Sequence, residues 1–282
     1  MTLHQFAAGR SLAGAELGGR VVVEGGEAKH ALTVHRLADG AHVRISDGEG
    51  RVVVGPVSGD SMRGKEPRLV VVAEEILSVP RLAPPVRVVQ ALAKGDRDLA
   101  SIETCTELGA AWVTPWEAER SVARWPQAKA EKSAAKWRNT LEAAAKQSRN
   151  PWTPLLEPLA QTKVLAGRVR EAVASGALVV VLHEDAPEGL VDVAWRNADA
   201  WPVPEVWLIV GPEGGISPRE TEALTGAGAA LAGLGPRVLR SSSAAPVAMA
   251  ALQAVTEALE LAGLGAARRK HSGQAPKMDV DD

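Results

Sequence analysis

The stretch Val206-Trp207-Leu208-Ile209-Val210-Gly211-Pro212-Glu213-Gly214-Gly215-Ile216-Ser217-Pro218-Arg219-Glu220 decides how this chain folds. Five uninterrupted β-formers, Val206 to Val210, predict a strand buried on both faces inside a parallel sheet. A glycine-rich turn follows directly. Ser217-Pro218-Arg219-Glu220 then has the form of a capping box with proline at the first helical position, which predicts a helix from Pro218 to Gly226. A second such turn is Leu234-Gly235-Pro236-Arg237-Val238-Leu239-Arg240-Ser241-Ser242-Ser243-Ala244-Ala245, followed by an apolar segment that continues as a helix to about Ala262. Glycines at the carboxyl end of buried strands let backbone approach a ligand closely, a geometry that suits a cofactor. On glycine content alone, two tight turns of an ordinary α/β protein is the competing reading, because short motifs recur by chance.

Working outward, Leu178-Val179-Val180-Val181-Leu182 is another buried strand, ending in His183-Glu184-Asp185. Val86 to Leu92 reads as the first strand of the same sheet. It ends in Ala93-Lys94-Gly95-Asp96-Arg97 and leads into a helix from about Asp98 to Leu108, closed by Gly109. Trp112-Val113-Thr114-Pro115 reads as a further strand. A long helix from about Ala128 to Ser148 turns Trp137, Leu141 and Ala144 or Ala145 inward and Lys132, Lys136 and Lys146 outward. This alternation of strands and helices predicts an α/β domain with a mostly parallel sheet over residues 86–264.

The amino-terminal part, residues 1–76, reads as short strands at Arg20 to Val23, His42 to Ser46, Arg51 to Val57 and Arg68 to Ala73, hence a small β-barrel. In Ala28 to Arg36, helical spacing puts Leu32 and Arg36 on one face with Lys29 nearby. Residues 77–85 carry three prolines in a stiff linker, and the tail 265–282, with Arg268-Arg269-Lys270-His271 and an acidic end, has no apolar periodicity and is expected to be disordered.

Composition narrows the class. No segment has the run of about eighteen apolar residues that a membrane span needs, and Met1 to Gly14 lacks the features of a signal peptide. The lone Cys105 excludes an internal disulfide and fits a reducing cytoplasm. Cysteine and histidine show no zinc spacing, so no metal is expected. The net charge of −2 argues against indiscriminate nucleic-acid binding, yet residues 117–150 carry eight basic against four acidic side chains, a local excess of the kind an RNA-facing surface needs. Eight Trp with one Phe and no Tyr have no functional explanation at this level.

The GPEGG turn after a strand, and LGxRxLR before a hydroxyl-rich segment and a long helix, resemble the cofactor loops of the RsmE family, SPOUT-type methyltransferases of ribosomal RNA. Lys94, Arg97 and Glu107-Leu108-Gly109 are similar to that family's lysine-to-ELG block. Glu119-Arg120-Ser121 stands where it has an Arg-Ser element, and Gln147-Ser148-Arg149 matches its helix ending. The resemblance spans most of residues 1–262. It implies a PUA-like RNA-binding barrel followed by a trefoil-knotted SPOUT domain, a homodimer, and S-adenosylmethionine as cofactor. The implied reaction is methylation of N3 of one uridine in 16S ribosomal RNA of the small subunit. On that reading the cofactor is held by His183, Glu184, Val210, Gly211, Gly215, Leu234, Gly235, Val238, Leu239, Ser241 and Ser243. Arg240 is the catalytic residue, and Arg36, Lys94, Arg97, Arg120, Gln147 and Arg149 meet RNA.

Two departures stand out. The family's Val-Leu-Arg triplet is Val34-His35-Arg36 here, and its Arg-Thr-Glu-Thr-Ala is Arg240-Ser241-Ser242-Ser243-Ala244, which loses the carboxylate and leaves the base for the N3 proton unidentified. A Rossmann domain is the structural rival, but the first strand ends in Lys94-Gly95-Asp96, and Gly226-Ala227-Gly228-Ala229-Ala230-Leu231 follows a helix. The functional rivals are a SPOUT methyltransferase acting on transfer RNA or another ribosomal site, and a non-catalytic RNA-binding relative.

Overall fold

The computed structural model describes residues 3–263; the tail expected to be disordered lies outside them. The chain divides into two compact units. One comprises residues up to 82 together with 135–155, and the other comprises 83–134 together with the chain from 156 on.

In the first unit, β1 (Gln5–Ala7), β2 (Arg20–Glu24), β3 (His42–Ser46), β4 (Arg51–Pro56), β5 (Arg68–Val72) and β6 (Glu75–Ser78) form a four-stranded sheet in the order β1-β3-β4-β6 and a β2-β5 pair. β2 shows why: in Arg20-Val21-Val22-Val23-Glu24 the alternate residues Val21 and Val23 are buried, as a sheet with one wet face demands. Gly55 lies where a Cβ would collide with the carbonyl oxygen of Val72, so the sheets approach as closely as they do only with glycine there. Residues 135–155 join this unit through long-range bonds. Gln5 Nε2 donates to the Asn150 carbonyl at 3.1 Å, Trp152 Nε1 donates to Val79 O at 2.8 Å, and the Arg81 guanidinium lies 4.1 Å over the Trp152 ring.

Between β2 and β3 lie α1 (Gly25–Lys29) and a π-helical turn, His30–Val34. This corrects the α-helical spacing read from sequence. The wider turn ends before Arg36, which is exposed with φ 53° and so does not share a helix face with Leu32.

The second unit holds β7 (Val86–Ala91), α2 (Arg97–Glu107), β8 (Trp112–Glu117), β10 (Ala160–Gln161), α4 (Thr162–Ala174), β11 (Leu178–Leu182), α5 (Leu190–Arg196), β12 (Val206–Val210), α6 (Pro218–Thr225), β13 (Ala230–Ala232) and α7 (Ser241–Leu261). Two further elements, α3 (Ala130–Ser148) and β9 (Leu155–Leu156), lie where the chain crosses from one unit to the other. Strands of the second unit pair in the order β10-β8-β7-β12-β11-β13, and every pair is parallel. β12 is central and wholly buried, with Val210 level with Gln90 of β7 and Leu182 of β11.

Its side chains alternate between two cores. Val206, Leu208 and Val210 pack with Leu190, Met249 and Leu252, while Trp207 and Ile209 pack with Leu165, Val169 and Leu224. Helices therefore cover both faces, which is why the strand reads as continuously apolar. Each such side chain, fully buried, contributes about 1.5–3 kcal/mol.

The Trp-rich composition has a partial structural explanation in this sheet. Arg87, 9% exposed, lies between the rings of Trp112 and Trp207 on the neighbouring strands, at 4.8 and 4.5 Å, and pairs with Glu157 and with Glu205 at 2.7 Å. Trp116 and Trp201 donate their indole N–H to Thr162 and Thr256. No helix of the described residues is long and apolar enough to cross a membrane.

Candidate functional site

A cleft of about 710 Å³ opens at the carboxyl ends of β11 and β12. Three loops line it: His183 to Asp185 after β11, Gly211 to Ile216 after β12, and Leu234 to Arg240 with the first residue of α7, Ser241. Arg97 and Arg120 complete the wall. Strands ending at one edge leave their following loops to converge there, as in open α/β sheets generally.

The GPEGG loop is held from both ends. Ser217 Oγ accepts the Glu220 N–H at 3.2 Å and Glu220 Oε2 accepts the Ser217 N–H at 3.1 Å, completing the capping box. Glu220, 1% exposed, also uses Oε1 to accept the Glu119 N–H at 2.8 Å and the Thr162 hydroxyl at 2.7 Å. One carboxylate thus fixes the start of α6, the loop bearing Arg120 and the start of α4. Arg120 in turn donates from Nη1 to the Gly214 carbonyl at 3.0 Å.

Glycine is required by geometry at two places here. A Cβ on Gly211 would meet Ile216 Cγ1 at 2.6 Å, and Gly215 has φ 72°, a left-handed conformation costly for any other residue. Gly235, at φ 100°, has nothing within 4 Å of a Cβ, so its backbone faces open space.

Glu213 Oε1 accepts the Arg97 guanidinium at 3.0 Å and the Lys94 N–H at 3.2 Å. Burial pushes its carboxyl pKa up, but hydrogen bonds from its own N–H, Arg97 and Lys94 outweigh that, and the net value lies below the usual one. In the β11 loop, His183 N–H donates to Ala232 O at 3.0 Å, and the Asp185 N–H donates to His183 Nδ1 at 3.1 Å, which leaves the imidazole proton on Nε2.

α7 begins at Ser241, one turn earlier than the hydroxyl-rich segment suggested, with Arg240 as its N-cap. Ser241 is 7% exposed, lines the cleft, and its Oγ has no partner. That oxygen is itself covered, while the N-terminus of α7 lies at the cleft wall, where free backbone N–H groups favour an anion.

Of the residues assigned to the cofactor from sequence, the cleft gathers all except Ser243, which is half-buried on the first turn of α7. Arg240, Arg97 and Arg120 also line it. Lys94 contributes its backbone N–H to Glu213 rather than a lining side chain. Arg36, Gln147 and Arg149 belong to the first unit, where all three are exposed. The sequence reading passed over Asp185, Glu213 and Arg237, all of which line the cleft. Glu213 was the one carboxylate inside the GPEGG turn, and Arg237 lay inside the second turn.

Residues 81–253 match the family model of the RNA methyltransferase domain. The chain is 43% identical over 241 residues, 86% of its length and 88% of the relative's, to ribosomal RNA small subunit methyltransferase E of Mycobacterium tuberculosis. The chain belongs to the ribosomal RNA small subunit methyltransferase E family. The family resemblance carried by the two glycine turns is therefore correct. The family member from Bacillus subtilis is 33% identical, with 62% of this chain and 67% of that protein aligned. Among solved structures, a putative methyltransferase of Legionella pneumophila in complex with bound S-adenosylmethionine superposes with a TM-score of 0.75 at 27% identity, covering 90% of this chain and 98% of the other. The mostly parallel sheet expected from the sequence is the fold observed in the second unit.

Proposed function

We propose that this chain transfers the methyl group of S-adenosylmethionine to N3 of one uridine in 16S ribosomal RNA. As a member of the ribosomal RNA small subunit methyltransferase E family, the chain is a methyltransferase that uses S-adenosylmethionine. The observation that supports the finer reading is the convergence, in one cleft, of bare glycine backbone from two strand-end loops, the N-terminus of α7 at Ser241 and the Arg240 guanidinium.

The residues fit the cofactor. Gly215 and Gly235 offer backbone without a side chain in the way, and the backbone around Val210, Leu234 and Leu239 lines the wall for the adenine and ribose. Ser241 at the head of a 21-residue helix suits the cofactor's carboxylate. When bound, the cofactor supplies an electrophilic methyl on a sulfonium.

Uridine N3 must lose its proton to attack. Arg240, exposed at the cleft, stabilises the resulting uridine anion and orients it toward the methyl. Arg97 is held by Glu213 and Arg120 by the Gly214 carbonyl, so both present fixed positive charge to substrate phosphates. His183 and Glu184 approach the cofactor from the β11 loop. The loss of the family's carboxylate at Ser242 excludes that position as the base.

The first unit fits a PUA-like barrel that binds RNA through Arg36, Gln147 and Arg149. The chain after Gly235 is read as threading a trefoil knot, with Ser243 inside it, in a cytoplasmic homodimer. Incubation with labelled S-adenosylmethionine and small ribosomal subunits lacking the modification tests the reading. Label at N3 of a single uridine is expected; label confined to transfer RNA rejects the substrate assignment.

A further inference from the structure

The π-helical turn at His30–Val34 brings unusual neighbours together. The His35 N–H donates to the His30 carbonyl at 3.0 Å, and this wide turn returns residue 35 to residue 30. Their imidazoles meet edge to face, with centroids 4.6 Å apart at 74°. A third ring, His4, lies 4.3 Å from His35. Phe6, the only phenylalanine of the chain and 1% exposed, closes the back of the group against His30 at 6.3 Å and His35 at 5.7 Å.

His4 and His35 are exposed on the outer side. Two further observations mark the place. π turns concentrate at functional sites. Arg36, immediately after the turn, and Arg149, at the end of α3, are both exposed non-glycine residues in the left-handed region, at φ 53° and 56°. The described residues contain no group of three or more His, Cys, Asp or Glu placed to bind a metal.

The charge state favours stacking. Burial, then the neighbouring His4, His30 and Lys146, lower the His35 pKa against the opposing pull of Glu27, which itself pairs with Lys146 at 2.7 Å. His35 is therefore a neutral ring at pH 7. Neutral aromatic faces beside guanidinium groups are the surface on which unpaired RNA bases stack, and histidine serves in that role.

We propose that the exposed faces of His4 and His35 form a stacking platform for an unpaired base of the RNA, with Arg36 and Arg149 available to its phosphates. The proposal rests on the reading of this chain as an enzyme acting on RNA. His35 stands where the resembled Val-Leu-Arg triplet has leucine.

The test uses the full chain and a short fluorescent oligouridylate at pH 7.5. Relative to wild type, His35→Leu and His4→Ala are expected to bind roughly tenfold more weakly, the size of one lost stacking contact. His35→Phe is expected to bind as wild type does, with melting temperature and S-adenosylmethionine affinity unchanged in all three. Equal binding by wild type, His35→Leu and His4→Ala overturns the platform. So does affinity that climbs steeply on acidification and is lost in His35→Phe, which is the signature of imidazolium pairing with phosphate. Wild-type protein that shows the platform pattern yet fails to methylate small subunits refutes the proposed reaction alone. Methylation with an unaffected His35→Leu variant refutes the platform alone.

Discussion

Glu220 accepts the backbone N–H of Glu119 at 2.8 Å, tying the first helical turn of α6 to a loop 101 residues earlier in the chain. The same carboxylate caps its own helix and takes the Thr162 hydroxyl, so three segments that shape the cleft share one buried anchor. Glu220→Ala leaves the Glu119 and Ser217 N–H groups and Thr162 Oγ1 without their carboxylate partner, while Ser217 Oγ still caps the N–H of residue 220. The expected loss is about 1–3 kcal/mol of stability in urea unfolding, from the unmet buried donors. S-adenosylmethionine affinity falls with it, because Arg120 and the Gly214 carbonyl lose their registration.

Arg87 between Trp112 and Trp207 balances two carboxylates, Glu157 and Glu205, on an inner strand of the sheet. Burial raises the Glu157 pKa, and Arg87 and the Thr114 hydroxyl more than reverse it. Arg87→Leu removes the shared cation, leaving Glu157 with only the more distant Arg168 at 3.9 Å, and is expected to destabilise by about 3–5 kcal/mol, read as a lowered urea midpoint with unchanged slope. An unchanged midpoint would show that the network is solvent-compensated.

The continuous apolar runs Val206–Val210 and Leu178–Leu182, the capping box, and the inward face of the long helix were legible because each depends on local sequence alone. β1 and β6, of three and four residues, were too short to carry a period, and α4 has too mixed a surface. Arg36 was misplaced because a π turn changes the residue spacing without a sequence signature. Lys146, read as an outward lysine, is half-buried against Glu27, and residues 135–155 join the first unit through Trp152 and Asn150; both depend on partners far along the chain. Nearly all of the cleft was legible, since glycine turns after buried strands announce a strand-end site. The Glu213–Arg97 pair was not, because its partners are 116 residues apart.

Glu213 is held below the usual glutamate value of 4.5, so its contribution to stability is present above the unfolded-state value and disappears as pH falls through the lower folded-state value. Wild type is therefore expected to melt higher than Glu213→Gln at neutral pH, with the difference shrinking in acid below pH 4.5. A constant difference across that range would mean that Glu213 acts through packing rather than charge.

Arg240→Ala removes the guanidinium proposed to stabilise the uridine anion while leaving the glycine backbone in place. Turnover is expected to fall by about 100-fold or more, the usual loss for one preorganised donor, with S-adenosylmethionine affinity changed only slightly. Steady-state kinetics on small subunits, with calorimetry for the cofactor, separates the two effects; normal turnover would remove Arg240 from the chemistry.

The claim that this strand-end cleft holds S-adenosylmethionine is tested most directly by calorimetric titration of the cofactor into wild type and Gly215→Val. Gly215 has φ 72° and, apart from Arg120 Nη1 at 3.8 Å, open space where the side chain would project. The variant is expected to stay folded, at a cost of about 1–2 kcal/mol for the left-handed backbone, and to lose measurable binding. A folded Gly215→Val that binds S-adenosylmethionine as tightly as wild type would place the cofactor elsewhere and contradict the account.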